Sequence, residues 1–384
     1  ADVVVENFRP GVMRRLGLQF TSLPGVLTVT PPSWRFDLNI EEDLIEEVIR
    51  VLGYDTLDSA PPLAALRPLV ASESRRGTSR LRHDVAALGY QESINFSFVE
   101  ERWETELAGN ARPVRVLNPI ASPLSVMRSS LIGSLVSVLR YNLARKCERL
   151  RVFELGRVYL RAREIGDDDT HVAGLSQPLR LGGLVYGAAD ELQWASKARS
   201  VDFFDVKGDI EALFAPRQLR FVAGTHCALH PGRSATIELE GRSVGHVGEL
   251  HPKWRQTYEL PAAPLLFEID AAALLASPMP CVVTVPGQQS VWRDLSVIAA
   301  EAVTHDQLVQ TTVAAGAPLV RSVRLWDVYK PAPAGNDRSR PERSLTLRLE
   351  LSDDEVTLAE ERIEATLAGV LTALEQRLGA RLRT

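Results

Sequence analysis

Cysteine is scarce: Cys147, Cys227 and Cys281 are the only three among 384 residues, and none sits in a C-x-x-C pair. An odd, unpaired set argues against a disulfide framework and fits a reducing compartment, so a cytoplasmic location is expected. No run of about 18 apolar residues occurs, and no membrane-spanning helix is expected. The start shows no signal-peptide pattern. A phosphate loop of the G-x-x-x-x-G-K-[ST] type is missing, as is a G-x-S-x-G nucleophile elbow; no nucleophilic triad can be read out. The chain shows no internal repeat at solenoid periods. With a net charge of −5 there is no global attraction for nucleic acid, so any RNA contact must come from a local basic patch.

What is present is ordinary globular composition, 45% apolar and 24% charged, in a chain too long for one core. The first residue is Ala1 rather than Met, which suggests a piece cut from something longer. Pro-rich joints at Pro61-Pro62 and from Pro278-Met279-Pro280 to Pro286 divide it into blocks 1–62, 63–285 and 286–384. In the first block, Val26–Thr30 predicts a strand stopped by Pro31-Pro32. Ile40, Leu44, Ile45, Val48, Ile49 and Leu52 have helical spacing, and Gly53 closes that helix. In the second block, helices are expected over Arg80–Leu88 and Leu131–Leu143, and strands over Leu150–Leu160, Leu179–Tyr186 and Leu265–Ile269. Ala235–Leu239 and Ser243–Glu249 should form a hairpin around Glu240-Gly241. The third block reads strand Leu295–Ala300, helix Asp306–Ala315, strands Val320–Val328 and Leu345–Leu351, helix Leu358–Leu378 and a short apolar-basic tail suited to a last strand. That order matches a ferredoxin-like split βαβ arrangement.

Asp43, Glu46 and Glu47 stand at i, i+3 and i+4 and so share one helix face, with Asp37 just upstream. Four carboxylates this close repel unless a cation or Arg50 intervenes. Oxygen donors alone suit Mg²⁺ or Ca²⁺. The plainer reading is a solvated acidic first turn, favoured by the helix dipole; spacing alone leaves both open. His226, Cys227, His230, His246 and His251 gather in the second block, but their spacing is not that of a zinc site, and surface or turn histidines are expected. The stretch Lys330 to Arg348 is basic and rich in Pro and Gly: either a solvated connection or a phosphate-contacting loop, with Trp326 and Tyr329 the nearest aromatics.

Longer motifs carry a resemblance. Thr30-Pro31-Pro32-Ser33-Trp34-Arg35-Phe36-Asp37 followed by Glu42-Asp43-Leu44-Ile45-Glu46-Glu47-Val48-Ile49-Arg50-Val51-Leu52-Gly53-Tyr54 looks like the signature that precedes the synthetase-like core of bacterial phenylalanine–tRNA synthetase β subunits. Gly89–Phe98, Leu117-Asn118-Pro119-Ile120, Met127-Arg128-Ser129-Ser130-Leu131, Phe153–Tyr159, Asp202–Gly208 and His230–Ala235 resemble successive core motifs. Arg293-Asp294-Leu295, Trp326-Asp327-Val328-Tyr329 and Gly379–Arg383 resemble the family's anticodon-binding domain. The likeness runs from about residue 15 to the end. Residues 1–15 read as atypical: Val5–Met13 instead resembles a short segment of class III CoA-transferases, and no function is carried over from it.

The resemblance implies an α+β chain in three parts. These are a truncated metal-binding α+β domain (1–62), a class II synthetase-like antiparallel-sheet core lacking the catalytic motifs (63–285), and a C-terminal ferredoxin-like (βαββαβ) anticodon-binding domain (286–384). It implies Mg²⁺ bound by Asp37, Asp43, Glu46 and Glu47 and shared with a catalytic α subunit in an α₂β₂ tetramer, ATP used on α, and tRNA(Phe) as a partner. Arg293, Tyr329, Lys330 and Arg343 are the residues expected to touch tRNA. Catalytic residues are expected to be none: no G-x-G-x-G-x-R occurs, and the second class II motif is replaced by Arg151-Val152-Phe153-Glu154-Leu155-Gly156-Arg157, an alternation suited to a packed strand. Editing is not expected of this stretch. Two other readings stand beside this one, a stand-alone RNA-binding or regulatory module and a metal-dependent hydrolase using the four carboxylates; for the second, no base is evident nearby.

Overall fold

A computed structural model describes residues 12–24, 26–61, 63–65, 72–168, 172–279, 281–282, 287–330 and 342–383. Pro62, Pro280, Pro286, residues 5–11 of the CoA-transferase-like segment and the part of the basic loop carrying Arg338 and Arg340 lie outside the described residues. The chain divides into two compact units, Ala1–Ser72 and Glu73–Thr384.

The first unit pairs strand β1 (Gln19–Leu23) antiparallel with β2 (Val26–Thr30), followed by helix α1 (Glu41–Leu52). Leu27 and Val29 alternate inward from β2 and meet Leu44 and Val48 of α1, one turn apart on its apolar stripe. Gly53 ends the helix at φ 95°, a conformation costly for any residue with a Cβ.

The larger unit holds a seven-stranded sheet. In chain order its elements are α2 (Thr78–Ala87), β3 (Gln91–Glu92), α3 (Ile132–Leu143), β4 (Leu150–Arg157), β5 (Leu179–Tyr186), α4 (Phe203–Phe214), β6 (Leu219–Ala223), β7 (Leu229–Leu239), β8 (Arg242–Leu250) and β9 (Leu265–Asp270). The spatial order is β6-β7-β8-β9-β5-β4-β3, antiparallel throughout except for the β3–β4 edge. Apolar side chains fill both faces. Leu81 and Val85 of α2 with Val206, Ile210 and Phe214 of α4 cover one side; Ile132, Leu135 and Leu139 of α3 cover the other. Central strands β4 and β5 are therefore buried continuously rather than in alternation. The β7–β8 hairpin turns at Glu240 (φ 52°) and Gly241 (φ 77°), both left-handed as a tight two-residue turn demands.

The C-terminal part of this unit runs β10 (Val291–Ala300), α5 (His305–Gly316), β11 (Val320–Tyr329), β12 (Glu342–Leu351), α6 (Glu360–Leu378) and β13 (Arg381–Leu382). Its four strands lie in the order β11-β12-β10-β13, the expected ferredoxin-like arrangement with the tail as last strand. Leu295, Val297, Leu345, Leu347 and Leu349 point to one face, where Leu308 of α5 and Ile363, Val370 and Leu374 of α6 cover them. The alternate residues are left on an open face.

Sequence patterning missed α4 and β6. The signal for α4 was available: Asp202 accepts from the backbone of Phe204 (2.8 Å) and Asp205 (3.2 Å) while the Asp205 carboxylate returns to Asp202 N (2.8 Å), a reciprocal cap. The expected strand Leu150–Leu160 ends at Arg157, and Leu160-Arg161 forms a separate short strand.

Candidate functional sites

The acidic set of the first unit is held by internal partners. Arg35 grips Asp37 through Nε (2.9 Å to Oδ1) and Nη2 (2.7 Å to Oδ2), and the same Nη2 reaches Glu47 Oε1 at 2.9 Å. Arg50 donates to Glu47 Oε2 at 2.6 Å, as its sequence position suggested. Asp43 is a capping residue, its Oδ2 accepting from the backbone N–H of Asn39 (2.7 Å) and Ile40 (2.9 Å). Hydrogen bonds from Arg35 hold the Asp37 and Glu47 carboxyls below their usual range, and the two backbone donors do the same for Asp43. All three are acceptors already in use. Glu46 is exposed. Among the described residues no three His, Cys, Asp or Glu side chains are gathered so as to hold a metal ion.

In the core, the segment resembling a synthetase motif is anchored residue by residue on buried acids. Arg128 Nη1 lies 2.7 Å from Glu154 Oε1, with the two side chains 3% and 5% exposed. Ser129 donates its N–H (2.9 Å) and its hydroxyl to Glu104. Ser130 Oγ (2.8 Å) and the Leu131 N–H (2.7 Å) donate to Glu268, just before the start of α3. Asn95 Nδ2 completes the cluster at 2.7 Å from Glu154 Oε2. Gly156 lies against it: a Cβ there would stand 2.3 Å from Arg128 Nη2. The arginines of strand β4 are bound internally too. Arg151 pairs with Asp209 and lies over the Tyr90 ring, and Arg157 donates to the Gln177 carbonyl at 2.6 Å.

On the open face of the C-terminal sheet, Arg348 lies 3.4 Å from the centroid of the Trp326 ring and forms a two-pronged pair with Asp294, 2.7 Å at each prong. Arg324 is near Trp292 (5.5 Å) and Arg383 near Tyr329 (5.2 Å). Trp326 is 61% and Tyr329 51% exposed, so ring surface remains available. Of the four residues expected to touch tRNA, only Tyr329 joins this group. Lys330 pairs with Glu301 at 2.5 Å, Arg293 with Glu360 at 2.6 Å, and Arg343 donates to the Val303 carbonyl at 2.7 Å. The Trp326–Arg348–Asp294 triad spans three strands; cross-strand register brings it together, which no linear motif announces.

The histidines behave mostly as expected of turn residues: Nδ1 of His226, His230 and His251 each accepts an N–H two residues on. His246 differs. It lies on β8, stacks on His226 at 4.0 Å between centroids, and encloses its Nε2 with no hydrogen-bond partner. Burial, then the neighbouring charge, holds both rings down at about 4.

Comparison with known proteins adds three family models. The description "tRNA synthetase B5 domain" matches residues 10–54, beginning inside the stretch that reads as atypical. "Phenylalanyl tRNA synthetase beta chain CLM domain" matches 57–271, and "Ferredoxin-fold anticodon binding domain" matches 286–383. Among curated relatives, the phenylalanine–tRNA ligase beta subunit of Ralstonia nicotianae is 47% identical over 379 residues, covering 97% of this chain and 47% of that one. The beta subunits of Burkholderia lata (45% over 377 residues; 97% and 46%) and Bordetella bronchiseptica (46% over 379 residues; 97% and 47%) are similar to the same degree. The chain spans about half the length of the curated relatives it matches. Since the beta-chain model alone covers more than half of the sequence, the chain belongs to the phenylalanine–tRNA ligase beta subunit family.

Proposed function

We propose that the chain works as a binding subunit in the ATP-dependent attachment of phenylalanine to tRNA, joined to a catalytic α subunit as α₂β₂ in the cytoplasm and making no adenylate itself. The observation that carries this reading is the fate of the core arginines. Adenylation needs free cations to stabilise charge on the reacting phosphate. Arg128, Arg151 and Arg157 are instead engaged by Glu154, Asp209 and the Gln177 carbonyl. On this reading 63–285 is a class II-like scaffold without chemistry, 1–62 the acidic domain and 286–384 the tRNA-binding domain.

For tRNA, the reading rests on the open sheet face. Trp326, Tyr329 and Arg348 supply ring and guanidinium surfaces of the kind single-stranded bases stack on. Lys330, just after β11, is the proposed phosphate contact beside it; Arg293 and Arg343 are engaged by Glu360 and the Val303 carbonyl and would reach phosphate only on leaving those partners. For Mg²⁺, the donor chemistry of Asp37, Asp43, Glu46 and Glu47 is suitable, all oxygen. In this chain by itself the four do not form a cage, because three of them are engaged by Arg35, Arg50 and backbone donors. The proposed ion is therefore shared, with the partner subunit completing its coordination.

Co-expression with a phenylalanine–tRNA ligase α subunit, with and without Mg²⁺, tests this. A stable complex that charges tRNA(Phe) is expected. Intact tRNA binding with no uptake of α would favour a stand-alone RNA-binding module.

A further inference from the structure

We propose that the C-terminal end of α3 is a second contact for the tRNA backbone, made by Arg140, Arg145 and Lys146 around the Tyr141 ring. The proposal rests on the tRNA reading above and adds a phosphate-binding surface on the core, distinct from the open face of the C-terminal sheet.

Helix α3 buries Leu135, Val136 and Leu139 against the central sheet and ends at Leu143. Arg140, Tyr141, Arg145 and Lys146 are exposed at that end. Arg145 is held in place twice. Its Nη1 donates to the Tyr141 carbonyl at 3.0 Å, and its guanidinium lies 3.3 Å from the centroid of the Tyr141 ring. Arg140 lies 5.6 Å from the centroid of the Tyr258 ring. Lys146 takes φ 64° in the turn by which the chain leaves the helix. None of the three cations pairs with a carboxylate among the described residues. Arg149, a little further on, differs: it donates to the Ala188 and Ala189 carbonyls at 3.2 and 3.3 Å.

A helix C-terminus carries about half a negative charge and attracts cations. That offsets only part of three positive charges. The acids nearest in the fold are Glu148, exposed just after Lys146, and Glu106, which accepts from the Tyr258 hydroxyl at 3.1 Å. A positive surface therefore remains on a chain whose net charge is −5. Its composition favours RNA over a protein partner. Protein interfaces centre on packed apolar side chains, and Tyr141, 60% exposed, is the only exposed large apolar residue of 140–146. A guanidinium fork fits two phosphate oxygens, and a ring beside it offers a face to an adjacent sugar or base.

Titrations of the α-bound complex test this with two probes, tRNA(Phe) and a hairpin of its anticodon arm alone, each at several salt concentrations. The variants are Lys146→Gln, the triple Arg140→Gln/Arg145→Gln/Lys146→Gln, and, as control, Arg242→Gln, an exposed cation of the β7–β8 hairpin. Each is checked for uptake of α and by circular dichroism. Lys146→Gln should lower the slope of log affinity against log salt for tRNA(Phe) by about 0.7–0.9, and the triple variant by about 2 or more, one step per phosphate released. Neither should change binding of the hairpin, and Arg242→Gln should change neither probe. Unaltered tRNA slopes in Lys146→Gln and the triple variant would overturn the proposal while leaving the C-terminal contact standing. Equal losses on hairpin and tRNA, or an equal loss in Arg242→Gln, would overturn it too. So would a triple variant that no longer takes up α while Lys146→Gln binds tRNA normally, since the surface would then be a protein interface. No tRNA binding by the wild-type complex would overturn the tRNA reading as well.

Discussion

Arg128 and Glu154 form an ion pair at 2.7 Å, with almost no exposure on either side. Arg128 also donates through Nε to the Arg157 carbonyl at 3.1 Å, and Asn95 supplies a further donor to Glu154. The pair joins the stretch before α3 to strand β4. Burying two charges is costly, and removing one partner leaves the other charged and dry. Glu154→Ala should therefore destabilise the fold by about 3–5 kcal/mol, read by urea denaturation. Replacing both partners by apolar residues of similar volume should cost much less. Equal losses in the single and double variants would argue against the pair as the cause.

Gly156 gives a related expectation through sterics. The Arg128 guanidinium occupies the space a Cβ would need, 2.3 Å away, and Glu154 Oε1 is 2.9 Å away. Gly156→Ala should displace the ion pair and lower the melting temperature, whereas Gly208→Ala, on α4 with nothing near its Cβ, should be neutral or stabilising. Thermal melts of the two variants side by side check this.

The His226–His246 stack predicts an acid-sensitive core. Both rings titrate near 4 in the fold against an ordinary 6.5, so the unfolded chain binds more protons between those values. Stability from the neutral pair is complete above about 6.5 and is lost as pH falls toward 4. The charged groups facing His246 are Arg180, which disfavours its protonation, and the adjacent strand's Glu268, which favours that of His226. Melting temperature should drop through this window in wild type and drop less in His246→Phe. A flat profile in wild type would contradict the burial argument.

Much of this architecture was legible in sequence, for physical reasons that also explain the gaps. The α6 helix and strands β10 and β12 bury one face against a single layer, so their apolar residues recur at the helical and strand periods. Strand β6 is an edge of five residues with little buried, and β3 is two residues long; neither leaves a period to read. For the sites, the acid types and even Arg50 as neutraliser could be named from spacing. Arg35 as the residue bridging Asp37 to Glu47 could not, because the loop path decides it. Arg293 and Arg343 read as free basic side chains, and only coordinates show Glu360 and the Val303 carbonyl beside them.

For tRNA binding, stacking and charge should separate by salt. Trp326→Ala should weaken binding by about 1–3 kcal/mol if one base stacks there, with the salt slope unchanged. Lys330→Ala should lower the slope of log affinity against log salt by about 0.7–0.9, the value for one phosphate contact. Titrations of the α-bound complex with tRNA(Phe) at several salt concentrations distinguish the two. Loss of slope in Trp326→Ala would contradict a stacking role.

ATP–pyrophosphate exchange with phenylalanine, run on the purified chain alone and then with α added, addresses the proposed division of labour most directly. No exchange by the chain alone and robust exchange on adding α is the expected result. Exchange above background by the pure chain would show that its core makes adenylate, and would overturn the proposal that 63–285 is a scaffold without chemistry.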